Sequence, residues 1–302
     1  MNTKQRFYVF LLLSIGLINE LVYSQVSMPN NLKAEYVNQA PKIDGVLNDE
    51  VWKTATKINN FTQRELKFGE PATEKTEVAI VTTEQYMYVG VWCYDSEPKN
   101  IIAKELKRDF NYDLDDNFTI IIDTYQDLRN GFMFVTNPNG ARADLQVFNN
   151  GGTTNLYWNG VWNVITTRTD SGWFAEFEIP FYTLKYRTNV TEQIWGINFE
   201  RNIRHKREQV LWQGWSRDNR IQQLNHAGTL TGLNNLSDKR FIEIKPYATA
   251  GGLTSKTNDK LLLNAGGEVN YLLSPTYRLN LTFNTDFAQV EADQQQVNIT
   301  RF

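Results

Sequence analysis

The sequence contains very little of the chemistry that cysteine and histidine provide. Its 302 residues include one cysteine, Cys93, and two histidines, His205 and His226. A single cysteine excludes an internal disulfide framework and a cysteine-rich zinc site, and two histidines argue against a multi-histidine metal centre. Neither a nucleophile-elbow motif nor a glycine-rich phosphate loop is present. These absences leave binding better supported than catalysis.

Positive charge is not in excess either. The chain has 31 Lys and Arg against 34 Asp and Glu, which gives a formal net charge of −3 at pH 7. Because phosphate binding needs a basic surface, no nucleic-acid partner is expected. A glycosidase would need two carboxylates facing each other across the scissile bond, and sequence spacing does not identify such a pair. The glutamates considered for that role are Glu176, Glu178, Glu200 and Glu208.

Segments with helical periodicity are scarce, whereas short apolar–polar alternations bounded by turn residues are frequent. In the segment 87–94, Met87, Val89, Val91 and Cys93 share one face of a predicted strand. The sequence Asn-Pro-Asn-Gly at 137–140 predicts a hairpin with a type I′ turn, and Asp-Ser-Gly at 170–172 predicts a second hairpin. The pattern indicates an all-β protein built as an antiparallel sandwich.

The first residues are typical of a signal peptide. Lys4 and Arg6 give a positive start, and the apolar stretch from 7 to 18 is too short to span a bilayer. A small residue at position 24 favours cleavage after Ser24. The alternative is a core helix, against which the position and the flanking residues argue. We therefore expect an exported protein.

Three longer candidate strands follow residue 237, at 241–249, 261–273 and 277–287. In the last of them, apolar residues alternate with polar ones in every second position. Strands of about ten residues with this alternation are typical of an outer-membrane barrel, and an ordinary antiparallel sheet is the alternative. Because about eight strands are needed to close a barrel, the barrel interpretation implies that the chain stops inside it at Phe302.

Four motifs between residues 38 and 235 occur in the order found in a known family. They are PKIDGVLNDEVW at 41–52, DDNF at 115–118 followed by Asp123, WFAEFEIPF at 173–181 and WGINFER at 195–201. Together they resemble the family 9 carbohydrate-binding modules, which have a DOMON-like β-sandwich. The resemblance implies structural calcium and a terminal sugar held between two aromatic side chains.

A closer resemblance covers two further segments. The run DTYQDLRNGFMFVTNPNGARAD at 123–144 is similar to bacterial outer-membrane proteins in which a family-9-like module precedes a barrel domain of unknown function. The ending DFAQVEADQQQVNITRF at 286–302 resembles the first part of that barrel. After the predicted signal peptide at 1–24, the resemblance implies a family-9-like module at 30–236 and the first strands of an outer-membrane barrel at 237–302.

Candidate sugar-binding residues lie on predicted loops and strand ends. Sugars bind to flat aromatic faces, which cover the C–H patches of the ring, and to planar polar groups that bond the hydroxyls. For each candidate, packing in the core is the alternative. The candidates are Tyr112, Trp158, Trp162, Trp212 and Trp215, with Arg129 and Asn198 as polar partners. The tryptophans assigned to the core are Trp52, Trp92, Trp173 and Trp195.

A group of aspartates is a candidate calcium site, because calcium prefers several carboxylate and carbonyl oxygens. The candidates are Asp113, Asp115, Asp116 and Asp123, with an ion expected near the last two. The EF-hand template fails here, and solvated loop carboxylates are the alternative. The resemblance to family 9 modules favours calcium.

The function predicted from the sequence is carbohydrate binding at the outer membrane of a Gram-negative bacterium, in glycan capture, uptake or catabolism. The expected partners are a glycan and the outer membrane, and the sandwich faces the periplasm or lies within the barrel assembly. One alternative is a transport or secretion component whose sandwich acts as a plug or docking domain. Another is a module of a glycoside hydrolase, although no catalytic centre is recognisable.

Overall fold

The chain is described from a computed structural model, which covers residues 30–187, 190–234, 236, 241–254, 259–274 and 277–284. The predicted signal peptide and the segment 286–302 lie outside the described residues. The strands and the helix are β1 Asn31–Lys33, β2 Glu35–Tyr36, α1 Glu50–Thr54, β3 Lys57–Ile58, β4 Thr62–Glu65, β5 Thr76–Thr82, β6 Tyr86–Tyr94, β7 Asn117–Asp123, β8 Gly131–Thr136, β9 Arg142–Phe148, β10 Thr153–Asn155, β11 Asn163–Thr169, β12 Gly172–Pro180, β13 Glu192–Ile203, β14 Glu208–Leu211, β15 Gly228–Asn234, β16 Phe241–Thr254, β17 Asp259–Ser274 and β18 Tyr277–Phe283.

Two sheets form a sandwich from strands β1 to β15. Sheet A has the order β1-β15-β13-β7-β8-β9-β10, with β14 paired to β13 and β4 paired to β14. Sheet B has the order β11-β12-β6-β5-β2, with β3 paired to β5. Most pairs are antiparallel, and the parallel pairs β1–β15 and β2–β5 lie at sheet edges. The prediction of an all-β antiparallel sandwich is confirmed.

The core between the two sheets follows from strict alternation along the strands. In β6, Met87, Val89, Val91 and Cys93 enter the core, as the sequence predicts, and β12 contributes its odd-numbered residues 173–179. Sheet A supplies Phe118, Ile120 and Ile122 from β7 among others. Because the side-chain period of a strand is two, a one-residue slip in register would turn every one of these side chains to the opposite face.

The turn between β8 and β9 differs from the predicted type. Within the segment 137–140, Gly140 has a positive φ of 76°, whereas Asn139 does not. The N–H of Gly140 donates to the carbonyl of Asn137 at 2.9 Å. A type I′ turn centred on Asn139 and Gly140 needs a positive φ at both residues, so the φ of Asn139 excludes it, and Pro138 instead takes the first central position of a type I turn.

The outer face of each sheet is covered by chain segments that connect strands. Over sheet B, α1 and the preceding loop pack Trp52 and Ala55 against Ala79 and Val81. Over sheet A, the segments 106–115 and 220–227 place Phe110, Ile221 and Leu224 in a second apolar cluster with residues of β8 and β9. The sandwich therefore has three apolar layers, and the outward positions 198, 200 and 202 of β13 are polar.

Sheet C consists of β16, β17 and β18 in chain order, joined by antiparallel pairing. The register places Ile244, Val269 and Leu281 side by side, so these residues share one face. Residues Lys245, Glu268 and Thr282 share the other face. Sheet C therefore has an apolar face and a polar face. Among the described residues, no helix combines the length and the apolar character needed to cross a membrane.

Candidate binding site

A row of polar side chains lies on the outer face of sheet A, along β13. Asn198, Glu200 and Asn202 alternate with four residues on the inward face of the strand, namely Ile197, Phe199, Arg201 and Ile203. Glu200 is paired with Thr119 of β7 on one side and with Leu211 of β14 on the other. Outward positions of a strand in such a sheet are usually exposed to solvent. Here one of them holds a buried carboxylate, Glu200.

Glu200 is the centre of this polar row. Its side chain is buried, with 7% of its surface exposed, and Nδ2 of Asn202 donates to Oε1 of Glu200 at 3.1 Å. Burial raises the pKa of Glu200 to about 7, against the lowering effects of hydrogen bonds from Asn202 and Gln209 and of the charge of Arg64. Near neutral pH the carboxyl group can therefore both donate and accept hydrogen bonds.

Arg64, from β4, connects the polar row to a surface loop. Nη1 of Arg64 donates to Oε1 of Gln209 at 2.5 Å. Nε donates to the carbonyl of Asn219 at 2.5 Å and Nη2 to the carbonyl of Arg217 at 3.0 Å. A guanidinium group has five N–H donors, so these three bonds leave donors for a ligand. Arg64 thus holds the loop 215–220 beside Glu200.

Two exposed aromatic rings stand on this loop and on the neighbouring turn. Trp215 is 38% exposed and Phe68 is 46% exposed, and their ring centroids are 5.3 Å apart at an interplanar angle of 56°. The guanidinium of Arg217 lies 5.7 Å from the centroid of Phe68. Gly69 keeps a positive φ of 81° and lies against the indole of Trp215, so the turn brings its backbone close to the ring. An exposed aromatic surface therefore borders the polar row.

Three of the predicted sugar-binding residues lie on this side of sheet A. Trp215 is one of the two exposed rings. Tyr112 is half-buried, and burial together with the charges of Asp113 and Glu200 raises its pKa. The side chain of Asn198 is buried, accepts from the N–H of Gln213 at 3.0 Å and donates to its carbonyl at 3.0 Å. Asn198 therefore positions the chain leading into the loop.

The other predicted sugar-binding residues lie elsewhere. Trp162 and Trp212 are buried in the sandwich core, so the alternative of core packing applies to them. Trp158 is half-buried against Phe132, with ring centroids 5.1 Å apart. Arg129 is exposed in the turn between β7 and β8, where its Nη2 donates to Asn149 at 3.3 Å. Sequence position does not distinguish these aromatics from Trp215, because all lie near strand ends.

Sequence reasoning missed Arg64, Phe68, Asn202 and Gln209, and it considered Glu200 only for catalysis. One signal was available in β13, where the pattern Asn-x-Glu-x-Asn at 198–202 places three polar residues on one face of a strand whose other face is apolar except for Arg201. The residues of β4 and of the turn after it carry no comparable pattern. Their contribution depends on the pairing of β4 with β14, which is a long-range contact.

The four aspartates predicted to bind calcium do not form one site. Asp115 accepts from the backbone N–H groups of Lys104 and Glu105 and from Nδ2 of Asn137 at 2.8 Å. Asp113 is exposed. Through these hydrogen bonds, Asp115 holds the backbone of the segment before β7 in place.

Asp116 and Asp123 stand at opposite ends of β7, roughly 20 Å apart at about 3.3 Å per residue. Asp123 accepts from the N–H of Leu128 at 2.7 Å and holds the following turn. A single calcium ion near both residues, as the sequence suggested, does not fit this geometry. Asp116 lies instead beside Asp95 and His205, where one ligand atom from each residue falls within 4.8 Å of the others.

Glu176 and Glu200 lie on opposite sides of the sandwich. Glu176, on β12, faces outward from sheet B, where its carboxylate accepts bonds from Trp52 and from the loop before α1. Glu208 accepts from the hydroxyl of Thr73 at 2.6 Å. Since Glu200 and Glu176 lie on the outer faces of opposite sheets, they do not face each other across one cleft.

Comparison with known proteins concerns the fold. No protein-family model and no curated protein sequence matches the chain. The crystal structure of a candidate carbohydrate-binding protein from Bacteroides uniformis is similar with a TM-score of 0.54 and 10% identity, over 67% of this chain and 99% of that chain. This likeness shows that the two proteins share the sandwich fold.

Two structures of a family 9 carbohydrate-binding module from Caldicellulosiruptor kristjanssonii are also similar. The complex with cellotriose has a TM-score of 0.48 and 13% identity, over 67% of this chain and 93% of that chain. The complex with glucose has a TM-score of 0.47 and 16% identity, over 70% of this chain and 98% of that chain.

Proposed function

We propose that the sandwich binds carbohydrate at the outer face of sheet A, between the Trp215–Phe68 pair and the polar row on β13. The observation that carries this proposal is the position of two exposed aromatic rings, 5.3 Å apart, next to Arg64. Sugar rings stack on such surfaces, and planar amides, carboxylates and guanidinium groups bond their hydroxyls in a fixed geometry. The carbohydrate binding ascribed to the Bacteroides uniformis protein agrees with this proposal.

The chemistry of the polar row suits a neutral or acidic glycan. Asn202, which is half-buried and donates to the buried Glu200, presents an amide beside the rings, and Arg64 and Arg217 add positive charge there. An exposed aromatic pair without this polar row would instead suit a protein partner. We prefer a sugar to a protein partner because the aromatic pair and the polar row lie close together.

The experiment that tests the proposal is a glycan-array screen of the purified chain, followed by titration calorimetry with the best glycan. We expect Trp215→Ala to weaken binding by at least about 10-fold, since one stacked ring contributes on the order of 1–2 kcal/mol. Tyr36→Ala is the matched control, because Tyr36 is an exposed aromatic residue on sheet B. Silence across the array, or equal loss in both variants, would refute the proposal.

We also propose that sheet C belongs to the outer-membrane part of the protein. Its support is the face that carries Ile242, Ile244, Leu261, Leu263, Leu279, Leu281 and Phe283, all of them exposed. A row of exposed aliphatic side chains on long strands is suited to hydrocarbon, and isolated exposed leucines are not. Together the two proposals describe a glycan-capture protein of the outer membrane, serving uptake or catabolism.

Membrane insertion is tested by flotation of the full chain with phospholipid vesicles. We expect the wild-type chain to float with the vesicles and Leu263→Lys to reduce the floating fraction, because a charge on the lipid-facing side is costly. Thr282→Lys is the control, since Thr282 lies on the polar face of sheet C. A wild-type chain that stays at the bottom of the gradient would count against the membrane proposal.

A further inference from the structure

Four buried polar atoms without a hydrogen-bond partner lie at one end of the sandwich. Among the described residues, Oδ2 of Asp95, Oδ1 of Asp116 and both ring nitrogens of His205 have no partner. The two aspartates are 4% and 0% exposed, and the histidine side chain is 10% exposed. Buried polar groups are nearly always paired, and each orphaned atom is destabilising. Four of them in one place indicate that something fills the space between them.

The topology explains why these three residues meet. Asp95 follows the last residue of β6 in sheet B, and Asp116 precedes the first residue of β7 in sheet A. His205 lies in the 3₁₀ turn after β13, which runs antiparallel to β7 and ends beside its start. Each side chain is thus fixed by a strand end, and the three come from both sheets.

We propose that Asp95, Asp116 and His205 form a binding site for one divalent transition-metal ion of the zinc class. One donor atom of each residue lies within 4.8 Å of the others, and Nε2 of His205 is 3.5 Å from Oδ1 of Asp95. Two ligands of a tetrahedral zinc ion, bonded at about 2.0–2.2 Å, are about 3.4 Å apart. The spacing of the histidine–aspartate pair therefore matches that of two zinc ligands.

The donor set favours zinc over calcium. Calcium takes six to eight oxygen ligands, whereas imidazole nitrogen suits zinc and related ions. Here one ligand is an imidazole, and water would complete the coordination. Oδ1 of Asp95, the oxygen nearest to Nε2 of His205, accepts from the backbone N–H of Glu97 at 2.8 Å, and Oδ2 of Asp116 accepts from that of Ile102 at 2.8 Å. Such bonds orient ligands in metal sites.

Arg201 forms a long ion pair with Asp95 but donates no hydrogen bond to it. Its Nη2 lies 3.8 Å from Oδ2 of Asp95, which is beyond hydrogen-bond distance. Its Nη groups donate instead to the carbonyls of Lys75 and Tyr94 and to the hydroxyl of Thr76 at 3.0 Å. Its buried Nε also has no partner, and Oδ2 of Asp95 and Oδ1 of Asp116 therefore remain without a hydrogen bond.

The site is tested with the full chain, carrying no polyhistidine tag and stripped of metal by a chelator. Zinc chloride, calcium chloride and cobalt chloride are titrated separately by calorimetry, and the melting temperature is recorded with and without each ion. We expect zinc to bind at one ion per chain and to raise the melting temperature by about 5 °C at saturation. Cobalt should give the visible absorption of a tetrahedral complex.

Two substitutions assign the ion to the proposed residues. We expect His205→Gln and Asp116→Asn each to weaken zinc binding by at least about 10-fold, since even residues outside the ligand set change affinity by 10–100-fold. His226→Gln, which changes the second histidine, should retain the wild-type affinity. If a variant fails to fold, the cobalt spectrum of the wild-type chain still shows whether a tetrahedral metal site is present.

Three results would overturn the proposal. They are zinc binding that is absent or not saturable, zinc binding that His205→Gln leaves intact, and binding of calcium in preference to zinc. A stability that depends on pH but not on any metal would mean that a proton, shared by His205 and the carboxylates, takes the place of the ion, and it would also overturn the proposal.

Discussion

The indole N–H of Trp52 donates a 2.7 Å hydrogen bond to Oε1 of Glu176 on the outer side of sheet B. The second oxygen of the same carboxylate accepts from the backbone N–H groups of Asp44 at 2.9 Å and Gly45 at 2.7 Å. Gly45 has a positive φ of 79°. One carboxylate therefore fixes both the Ile-Asp-Gly turn and the tryptophan that ends the same motif.

Replacing Glu176 should destabilise the sandwich strongly. We expect Glu176→Ala to lower the free energy of unfolding by about 3 kcal/mol or more, because three donors lose their acceptor and each unpaired buried donor costs about 1–3 kcal/mol. Glu178→Ala, two residues along the same face of β12 and half-buried, should cost less than about 1 kcal/mol. Urea unfolding measures both, and equal losses would contradict the assigned role of Glu176.

The stability of the protein should depend on pH through Glu200. Its pKa is raised from 4.5 to about 7 in the folded chain, mainly by burial. Protonated Glu200 is therefore favoured by folding, so its contribution is complete below pH 4.5 and is lost as the pH rises towards 7. This shift corresponds to about 3 kcal/mol at 1.36 kcal/mol per pKa unit.

A glutamine at position 200 separates this effect from other titrations. We expect Glu200→Gln to remove about 3 kcal/mol of the fall in unfolding free energy between pH 4.5 and 7.5, because the amide stays neutral. The exposed Glu192, at the start of the same strand, provides the control variant Glu192→Gln. Unfolding curves that superpose for wild type and Glu200→Gln across this range would exclude a raised pKa.

Asp115 should behave as a structural residue rather than as a calcium ligand. Asp115→Asn turns one acceptor into a donor that faces backbone N–H groups, so we expect a loss of about 2–3 kcal/mol in unfolding free energy, with or without calcium. The exposed Asp113 gives the matched variant Asp113→Asn, which should change stability by less than about 0.5 kcal/mol. A destabilisation of Asp115→Asn that appears only in the presence of calcium would reverse this assignment.

Arg64 should determine the order of the loop 215–220. In Arg64→Ala two loop carbonyls lose a charged donor, and bonds of this kind contribute about 1.5–3 kcal/mol each. We expect the amide of Asn219, which donates to Ser216, to exchange hydrogen at least about 10-fold faster. Arg168→Ala removes an exposed arginine on sheet B and should leave that exchange rate unchanged, and a common increase in both variants would refute the prediction.

Much of the fold follows from local pattern. Alternation in β6 and β12 predicts which side chains enter the core, and the turns at 137–140 and 170–172 predict two of the hairpins. The local pattern did not predict the type of the turn at 137–140, because neighbouring residues in that segment favour different turns. At 137–140, Pro138 occupies the first central position of a type I turn, and Asn139 does not adopt the positive φ that a type I′ turn at the Asn-Gly pair requires.

The site was predictable only in part, because its members are brought together by strand pairing. Trp215 was identified as a surface aromatic, but its partner Phe68 lies on a turn whose position depends on β4 pairing with β14. Likewise, the aspartates at 115 and 116 are adjacent in sequence and point into different surroundings. Asp115 binds the backbone before β7, whereas Asp116 lies beside His205, almost ninety positions later.

Arg64 contacts the loop 215–220 only through main-chain carbonyls and never through loop side chains in the bonds described. The anchor that Arg64 provides is therefore independent of the side chains of the loop. Side chains at 215–219 can be exchanged while the same backbone is retained, so related proteins or designed libraries can change what this surface recognises without redesigning the sandwich. Arg64 would hold the backbone of the loop in the same way whichever side chains the loop carries.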